Sequence, residues 1–325
     1  MKKHLISMFA RVSIAALLAC SVSAFAQQYP SKPIRLVVGF AAGGPSDLAA
    51  RTIAQKLTEK WGQQVIVDIR PGAGGNIATE IVAKAPADGY TLLEPAFAHA
   101  VNPFLYSKLP FDAVKDFAPI LLFASIANVL VVHPSIPAHS VKELIAFAKT
   151  RPGQLTMGSA GNGTASHLAA ELLNLMGGIK ITHVPYKGLA PAHTELMGGQ
   201  LTMLFDGIVT GMPAVKAGRL RALGVTTVKR WQGTPDIPTM AEAGLAGFEV
   251  NSWYGLLAPA GTPREIIQRL NSEVARALRE PDARERLYSI GAEPMDNTPE
   301  EFAAYIAAEM AKWSKVVKTA AIRID

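Results

Sequence analysis

The sequence predicts an α/β protein built from two mostly parallel sheets. Short runs rich in β-branched residues alternate along the chain with segments that repeat apolar residues at helical spacing. Two long extended segments, 123–140 and 248–263, interrupt this alternation, and each is long enough to run from one sheet to another. Alternating strands and helices with two such interruptions are typical of two α/β lobes joined by two crossing strands.

The individual elements follow from the same periodicities. Strands are predicted at 34–40, 64–69, 90–95, 127–134, 155–160, 180–186, 201–206, 220–227 and 249–259. Helices are predicted where apolar residues share one face, at 45–60 (Ala49, Ile53, Leu57), 164–176 (Leu168, Leu172, Leu175), 263–279 (Ile266, Leu270, Val274, Leu278) and 299–318 (Phe302, Ile306, Trp313, Val317). Only helices are expected after the second extended segment.

The first 26 residues predict a cleavable export signal. Lys2, Lys3 and Arg11 precede a short apolar core, and Ala24–Ala26 form a cleavage site of the A-x-A type. An alternative interpretation takes Leu17–Cys20 as a lipobox, which would leave Cys20 as a lipidated N-terminus. With the cut after Ala26, the mature chain is expected in the periplasm without cysteine, and therefore without disulfide or thiol chemistry. It carries about half of the formal net charge of +6, which does not favour nucleic acid as a partner.

The two extended segments also predict the domain organisation. Residues 27–127 and 249–325 are expected to form a discontinuous first lobe, and residues 128–248 a second lobe. The cleft between two such lobes is a natural ligand site. Closure on a ligand would be a hinge motion in the segments near 125–129 and 248–256, where Trp253 and Tyr254 would either sense the motion or pack in the core.

A glycine turn follows the first predicted strand. Gly43 and Gly44 permit close backbone approach, Pro45 suits the first position of a helix, and Asp47 complements the helix dipole. Such a turn leaves free N–H groups at a helix N-terminus, which is a suitable site for an anion. Taken alone, the segment is equally consistent with a purely structural turn between a strand and a helix. As a ligand loop, its predicted contacts are Phe40, Ala42, Gly43, Gly44, Ser46 and Asp47.

Two more turns of this kind strengthen the prediction of a ligand site. Residues 158–167 follow a strand of the second lobe and open a helix, and residues 70–80 follow a strand of the first lobe. Ligands bind outside the carboxyl ends of strands in α/β sheets, so turns on opposite lobes could hold one anion between them. The predicted contacts in the second lobe are Ser159, Ala160, Gly161, Asn162, Gly163 and Thr164.

Motifs of catalysis are absent from the sequence. It contains no G-x-S-x-G, H-E-x-x-H or phosphate-loop motif, and its histidines lack metal-ligand spacing. No cofactor, metal or catalytic residue is therefore predicted. His167 is the best candidate for a functional histidine, although a structural role is equally consistent with its position. Tyr186 and Asp206, at strand ends, could contact a ligand or serve in packing and capping.

Six segments together resemble a known family. They are YPSKPIRLVVGFAAGGPSD, RPGAGGNIATEIVAKAPADGYTLL, GSAGNGTASHLAAELL, VPYKGLAPAHTELMGGQLTMLFD, GRLRALGVTT and WYGLLAPAGTP. In this order they are similar to the signatures of the Bug (TctC-like) family, the periplasmic substrate-binding proteins of tripartite tricarboxylate transporters. The resemblance covers nearly the whole mature chain.

The resemblance implies a two-lobed periplasmic-binding-protein fold, type II-like, that closes on a small carboxylate. It implies that Phe40–Asp47 and Ser159–Thr164 hold one carboxyl group, with further contacts from the Ala96–Ala98 loop, chiefly Ala98, and from Tyr186 and Asp206. The expected partners are a small carboxylate, such as a dicarboxylic or aromatic acid, and the membrane components of a transporter or a sensor kinase. The protein is expected to be a monomer. A secreted hydrolase or isomerase that uses the same cleft is the alternative.

Overall fold

The computed structural model describes residues 29–186 and 188–322. The predicted signal sequence, its cleavage site and Cys20 lie outside the described residues. The strands are β1 Ile34–Val38, β2 Val65–Ile69, β3 Thr91–Glu94, β4 Phe117–Ile126, β5 Asn128–Val132, β6 Thr156–Ser159, β7 Thr182–Pro185, β8 Met203–Gly207, β9 Arg221–Val225, β10 Ser252–Pro259 and β11 Ala292–Pro294. The helices are α1 Pro45–Trp61, α2 Asn76–Ala83, α3 Ala98–Leu105, α4 Val141–Lys149, α5 Ala165–Gly177, α6 Leu189–Met197, α7 Ile208–Lys216, α8 Arg264–Ala277, α9 Pro281–Ser289 and α10 Pro299–Thr319.

The strands form two separate sheets. The first has the order β11-β4-β10-β3-β1-β2, and the second has the order β7-β6-β8-β5-β9. Every strand of the second sheet lies between β4 and β10 in sequence, so the chain leaves the first sheet once and returns to it once. The predicted α/β class with two sheets and two crossings is confirmed.

Strand direction is more mixed than the sequence predicts. Pairing is parallel for β2-β1-β3 in the first sheet and β7-β6-β8 in the second. The remaining pairs, which involve β4, β5, β9, β10 and β11, are antiparallel. The expectation of mostly parallel sheets is wrong in this detail, because β4 leaves the first sheet and β10 returns to it in the opposite direction beside it.

The strand β11 corrects a second expectation. Only helices were expected after the second crossing, but Ala292–Pro294 pairs with the outer side of β4. Three residues with a single apolar position inside a polar segment carry no usable alternation, so local sequence does not reveal this strand. The pairing with β4 sets its register, and β11 forms the edge of the sheet beside β4.

The predicted apolar faces of the helices lie in the core. Ala49, Ile53 and Leu57 of α1 are buried against the first sheet, and Phe302, Ile306, Trp313 and Val317 of α10 are buried as well. In α5, Leu168 and Leu172 are buried whereas Leu175 is exposed. One core cluster includes residues of both sheets together with α3, α5 and α10, so α10 packs against elements on both sides of the crossing.

The two crossings are bound to each other. Only Ala127 separates β4 from β5, and residues 226–251 form the return path. The backbone N–H of Asn128 donates to Thr226 Oγ1 at 3.1 Å, and the Asn128 side-chain amide donates to the carbonyl of Val250 at 3.4 Å. Thr226 Oγ1 also lies 3.3 Å from Asn251 Oδ1. These buried polar groups join the outward and return segments where the chain passes between the sheets.

Candidate functional site

The first glycine turn leads into α1 without a side-chain cap. Gly43 has a positive φ of 79°, and Gly44 occupies the N-cap position with no side-chain hydrogen bond to the helix. Backbone bonding within α1 begins with Leu48 N–H donating to the Gly44 carbonyl at 3.0 Å. The N–H groups of Ser46 and Asp47 precede this pattern and therefore have no intrahelical acceptor. Together with the helix dipole, they make the turn suitable for an anion.

Asp47 braces the first turn from inside. Its Oδ2 accepts a hydrogen bond from Gly43 N–H at 2.8 Å, and its Oδ1 lies 2.7 Å from Arg51 Nε. The carboxylate is buried, and both of its oxygens contact groups of its own loop and helix. The structure thus places Asp47 behind the turn and supports the geometry of its glycines.

Other loops meet the first turn at the same edge of the sheet. A Cβ on Gly39 would lie 2.8 Å from Gly75 Cα, so glycine permits a close approach between this turn and the Ala73–Gly75 turn. Asn102 of α3 donates to the Gly74 carbonyl at 3.0 Å. Phe40 and Ala98, both predicted contacts, lie at this meeting point. The first and third glycine turns therefore lie together, as the ends of neighbouring strands should.

Glu94, at the end of β3, is a buried acid that was not predicted as a site residue. Its Oε2 accepts a hydrogen bond from Ser46 Oγ at 2.9 Å, so Ser46 is oriented towards β3. Burial, and then the negative charge of Asp47, raise the pKa of the Glu94 carboxyl well above its usual value. The sequence did contain a signal for this residue, because Glu94 is an acid at the end of an otherwise apolar predicted strand.

The second glycine turn leads into α5 in the same way. Gly161 and Gly163 have positive φ values of 126° and 77°, and Thr164 is the N-cap residue without a side-chain bond to the helix. Thr164 Oγ1 donates instead to the Gly161 carbonyl at 2.6 Å, and Ser166 Oγ accepts from Ala160 N–H at 3.0 Å. The side chains therefore shape the loop and leave the first N–H groups of α5 without intrahelical acceptors.

A pair of stacked histidines supports the second turn. The rings of His167 and His183 lie 4.0 Å apart at an interplanar angle of 18°. His167 Nδ1 accepts from Gly163 N–H at 3.1 Å, and His183 Nε2 lies 2.6 Å from Ser159 Oγ. Burial, with the neighbouring His183, lowers the pKa of His167 to about 3, and burial lowers the pKa of His183 to about 4. Both rings are therefore neutral at pH 7. His183 was not predicted, because its contact with Ser159 depends on the pairing of β6 with β7.

The other predicted residues of the second lobe have distinct surroundings. Asn162 is exposed at the tip of the turn, and Ala160 is partly exposed beside it. Tyr186 is half-buried, and its backbone N–H donates to the Ser159 carbonyl at 3.0 Å, which brings it next to the turn.

Asp206 lies at the end of β8, just before α7, and both of its carboxylate oxygens have partners. It accepts from Thr210 Oγ1 at 2.8 Å and from Gly207 N–H at 2.9 Å, and His193 Nδ1 lies 2.5 Å from its other oxygen. The side chain is fully buried, and burial raises the pKa of the Asp206 carboxyl. The structure thus brings Tyr186 to the second turn and gives Asp206 contacts with Gly207, with Thr210 of α7 and with His193 of α6.

Metal-binding clusters and membrane-spanning helices are both absent from residues 29–186 and 188–322. Within these ranges, no group of three or more His, Cys, Asp or Glu side chains is arranged to hold a metal ion. No helix in the same ranges combines the length and apolar composition needed to cross a bilayer.

Two α/β sheets with two crossings, and an uncapped helix behind a glycine turn in each sheet, define a two-lobed ligand-binding protein. The chain belongs to the tripartite tricarboxylate transporter family of receptors, because the TctC family model matches residues 49–322. The family resemblance seen in the sequence motifs is therefore confirmed.

Relatives and solved structures agree with this assignment. BugT of Bordetella pertussis is 36% identical over 295 residues, which cover 90% of each chain. The structure of R. palustris Rpa4515 with adipate is 41% identical, with a TM-score of 0.80 over 91% of this chain and 100% of that one. The structure of MatC (Rpa3494) from Rhodopseudomonas palustris with bound malate is 35% identical, with a TM-score of 0.76 over 89% of this chain and 100% of that one.

Proposed function

We propose that this protein is an extracytoplasmic solute receptor that captures a small carboxylate between its two lobes. It then delivers the ligand to a tripartite transporter or to a sensor kinase. The observation that carries the proposal is the pair of uncapped helix starts behind glycine turns, one in each sheet. Free N–H groups at a helix N-terminus stabilise an anion without a charged side chain.

The ligand class follows from the relatives. Rpa4515 was solved with adipate and MatC with malate, and both are dicarboxylates. A small dicarboxylate is accordingly the first class of ligand to test, with aromatic acids as the second. We propose a monomeric receptor without a cofactor. The predicted export signal and the family support a periplasmic location for it.

We propose residues 27–127 and 249–325 as the first lobe and residues 128–248 as the second. The separation of the two sheets in sequence supports these boundaries. The hinge would lie at Ala127 and at the start of β10, next to the bonded residues Asn128 and Thr226. Trp253 lies in the core between Phe302 and Tyr305, which favours a packing role over a sensing one.

Within the site, we propose that backbone groups of the two turns bind one carboxylate. The proposed ligand-contacting positions are those predicted from the sequence apart from Asp47, His167 and Asp206, with Asn162 and Tyr186 as the side chains able to reach a ligand. Asp47, His167 and Asp206 would act through the loops that they brace, since their polar atoms contact neighbouring groups. They are therefore positioning residues.

We propose a role in binding rather than in hydrolysis or isomerisation. Ser159 and His183 are in contact, but the Ser159 side chain is fully buried and its Oγ also accepts from Gly161 N–H at 3.1 Å. A nucleophile must reach its substrate, and this hydroxyl is occupied with the turn. Incubation with a panel of acids and their esters should leave every compound unchanged by mass spectrometry, whereas steady product formation would support the enzyme alternative.

A thermal-shift screen tests the proposed function. The purified protein, unfolded and refolded to remove bound ligand, is screened against mono-, di- and tricarboxylates and aromatic acids. A ligand at 100 times its dissociation constant should stabilise the folded state by about 2.7 kcal/mol. Failure of every acid to raise the melting temperature of a demonstrably folded protein would contradict the proposal.

Matched glycine variants locate the binding site in the same screen. Gly44 has an extended backbone that accepts a side chain, yet a Cβ there would lie 3.3 Å from the Ala41 carbonyl at the helix start. Gly44→Val should remove the ligand-induced shift. Gly198→Val, at the end of α6, is the control and should retain the shift.

A further inference from the structure

A small cavity lies directly beneath the first glycine turn. Its volume is about 10 Å³, which is room for one water molecule. Its walls come from the ends of β1 and β3, the Ala73–Gly75 turn and α3, and include Phe40, Glu94, Ala98, His99 and Asn102. Phe40 and Ala98 belong to the two loops that are proposed to contact the ligand, so the cavity adjoins the binding site.

Glu94 contributes a hydrogen-bond donor to this cavity. The side chain is 1% exposed, and Oε2 is occupied by Ser46 Oγ. The other oxygen, Oε1, is buried and has no hydrogen-bond partner in the described part of the chain. Burial and the charge of Asp47 raise the pKa of this carboxyl well above its usual value, which favours its neutral form. In that form Oε1 carries the proton, because Oε2 already accepts from Ser46 Oγ.

His99 contributes an acceptor to the same cavity. Its Nε2 lies 2.9 Å from the carbonyl oxygen of Ala113, which can only accept, so Nε2 must carry the ring proton. Nδ1 is then an acceptor, and it is also buried and without a partner among the described residues. Burial lowers the pKa of His99 to about 4, which keeps the ring neutral at pH 7.

Glu94 and His99 both line one water-sized cavity, and each carries a buried polar atom without a partner in the described part of the chain. This points to a missing occupant, because buried polar groups in folded proteins are almost always hydrogen-bonded. We propose that this cavity is a subsite for a single hydroxyl-sized group, which accepts a hydrogen bond from Glu94 and donates one to His99. This inference rests on the proposed function, because it assumes that the protein binds a small carboxylate beside the subsite. The group is either the hydroxyl of a bound hydroxy acid or a water molecule.

The same geometry excludes an ionised carboxylate from the subsite. The volume admits one oxygen but not two, and the carboxylate of Asp47 raises the cost of a second negative charge nearby. The subsite therefore favours a neutral O–H group at this end of the ligand. It is distinct from the backbone N–H groups that are proposed to bind the carboxylate.

Matched pairs of acids test the subsite. Titration calorimetry compares succinate with malate, which differs by one hydroxyl, and adipate with 2-hydroxyadipate. If the ligand supplies the hydroxyl, the hydroxy acid of one pair should bind about five- to tenfold more tightly than its parent. Glu94→Leu should abolish this ratio, and Glu94→Gln, whose amide still donates, should restore most of it. Glu309→Gln, a buried carboxyl on α10, is the control and should leave the ratio intact.

The other possible results distinguish a ligand hydroxyl from a water molecule in the subsite. If water fills the subsite, both members of each pair should bind equally, and Glu94→Leu and His99→Leu should weaken both by the same factor. Equal affinities that neither variant changes would overturn the subsite. If none of the four acids binds, the proposed carboxylate function fails for them. The subsite is then judged by a crystal structure, in which one oxygen between Glu94 and His99 supports it and an empty cavity overturns it.

Discussion

At the residue scale, the stacked histidines make the second turn sensitive to acid. The unfolded chain binds a proton to each histidine near pH 6.5, whereas the pKa values in the folded protein are about 3 for His167 and about 4 for His183. Their contribution to stability is therefore complete above pH 6.5 and is lost as the pH falls towards these values. The raised pKa of Glu94 acts in the opposite direction, so the two effects must be separated by substitution.

His167→Asn isolates the histidine effect. The Asn side-chain oxygen can accept from Gly163 N–H in place of Nδ1, but it does not titrate. We expect the stability of wild type relative to the variant to fall by about 2.7 kcal/mol between pH 7.5 and pH 4.5, because pH 4.5 lies two units below the unfolded pKa of 6.5 at about 1.36 kcal/mol per unit. Urea unfolding at each pH measures this difference. A difference that is constant across that range would show that His167 titrates normally.

The sequence allows prediction of the backbone of the site better than its side-chain partners. The positive φ values at Gly43, Gly161 and Gly163 follow from local rules for glycine before a helix. The contacts of Glu94 with Ser46 and of His183 with Ser159 join residues that are 48 and 24 positions apart. Such contacts depend on strand order and register, which local propensity does not specify.

At the element scale, the packing around Gly255 in β10 leaves no space for a side chain. A Cβ there would lie 2.3 Å from the Phe302 ring of α10 and 2.9 Å from the carbonyl oxygen of Leu121 in β4. Gly255→Ala should destabilise the protein by about 1–3 kcal/mol, because a packed core and a paired strand cannot both shift. Gly198→Ala, at the helical end of α6, is the control, with its nearest Cβ contact at 3.5 Å. Equal stabilities of the two variants in urea would contradict this prediction.

A buried lysine joins α1 to α9. Lys56 is 8% exposed, and its Nζ lies 2.9 Å from Glu280, 2.6 Å from Asp282 and 3.4 Å from Glu59. The hydrogen bonds that Lys56 donates to these carboxylates, the one to Asp282 first, raise the pKa of Lys56.

Lys56→Met should lower the free energy of unfolding by about 1–2 kcal/mol, because three carboxylates lose their shared cation. The loss should shrink in 1 M salt, which screens both the attraction in wild type and the repulsion in the variant. Lys115→Met is the matched control, since Lys115 is 84% exposed and its one ion pair within residues 29–186 and 188–322 is with Asp112 at 3.5 Å. A loss of the same size for both variants would argue against a special role for Lys56.

Secondary-structure elements were predicted correctly where a periodic apolar pattern extends over many residues, and were missed where the element is short. The helix predicted at 299–318 is Pro299–Thr319, and a capping box at Thr298 and Glu301 fixes its start. In contrast, β4 was included only in part in an extended segment, and β11 was missed. A strand of three residues is defined by the neighbour that it pairs with rather than by its own pattern.

At the scale of the whole molecule, the proposed closure is measurable with two engineered cysteines. The sole natural cysteine is Cys20, in the predicted signal, so labels on the mature chain would be specific. Val114 precedes β4 of the first sheet and Val228 follows β9 of the second, and their exposed fractions are 56% and 65%. Spin labels at these two positions should show a shorter or narrower distance distribution with adipate or malate if the lobes close.

A second label pair controls for local effects. Ile66 is 49% exposed in β2 of the first sheet, so labels at Ile66 and Val114 lie on one lobe and should not respond to ligand. In the Gly44→Val variant, neither pair should respond. An unchanged Val114–Val228 distance at saturating ligand would count against hinge closure while leaving binding itself intact.

The place of β10 in the first sheet has a consequence for synthesis and export. This strand is inserted between β4 and β3, but it is made after all five strands of the second sheet. The chain is synthesised and exported from its N-terminus onwards. Once Val225 has emerged, all five strands of the second sheet are available, while β3 and β4 still have unpaired edges because β10 has not yet emerged. The second lobe is thus able to fold before the first. The first lobe cannot complete its sheet until β10, which begins at Ser252, has been synthesised. During that interval the open edges are the part of the nascent chain most exposed to aggregation, and therefore the part that a holding chaperone would need to cover.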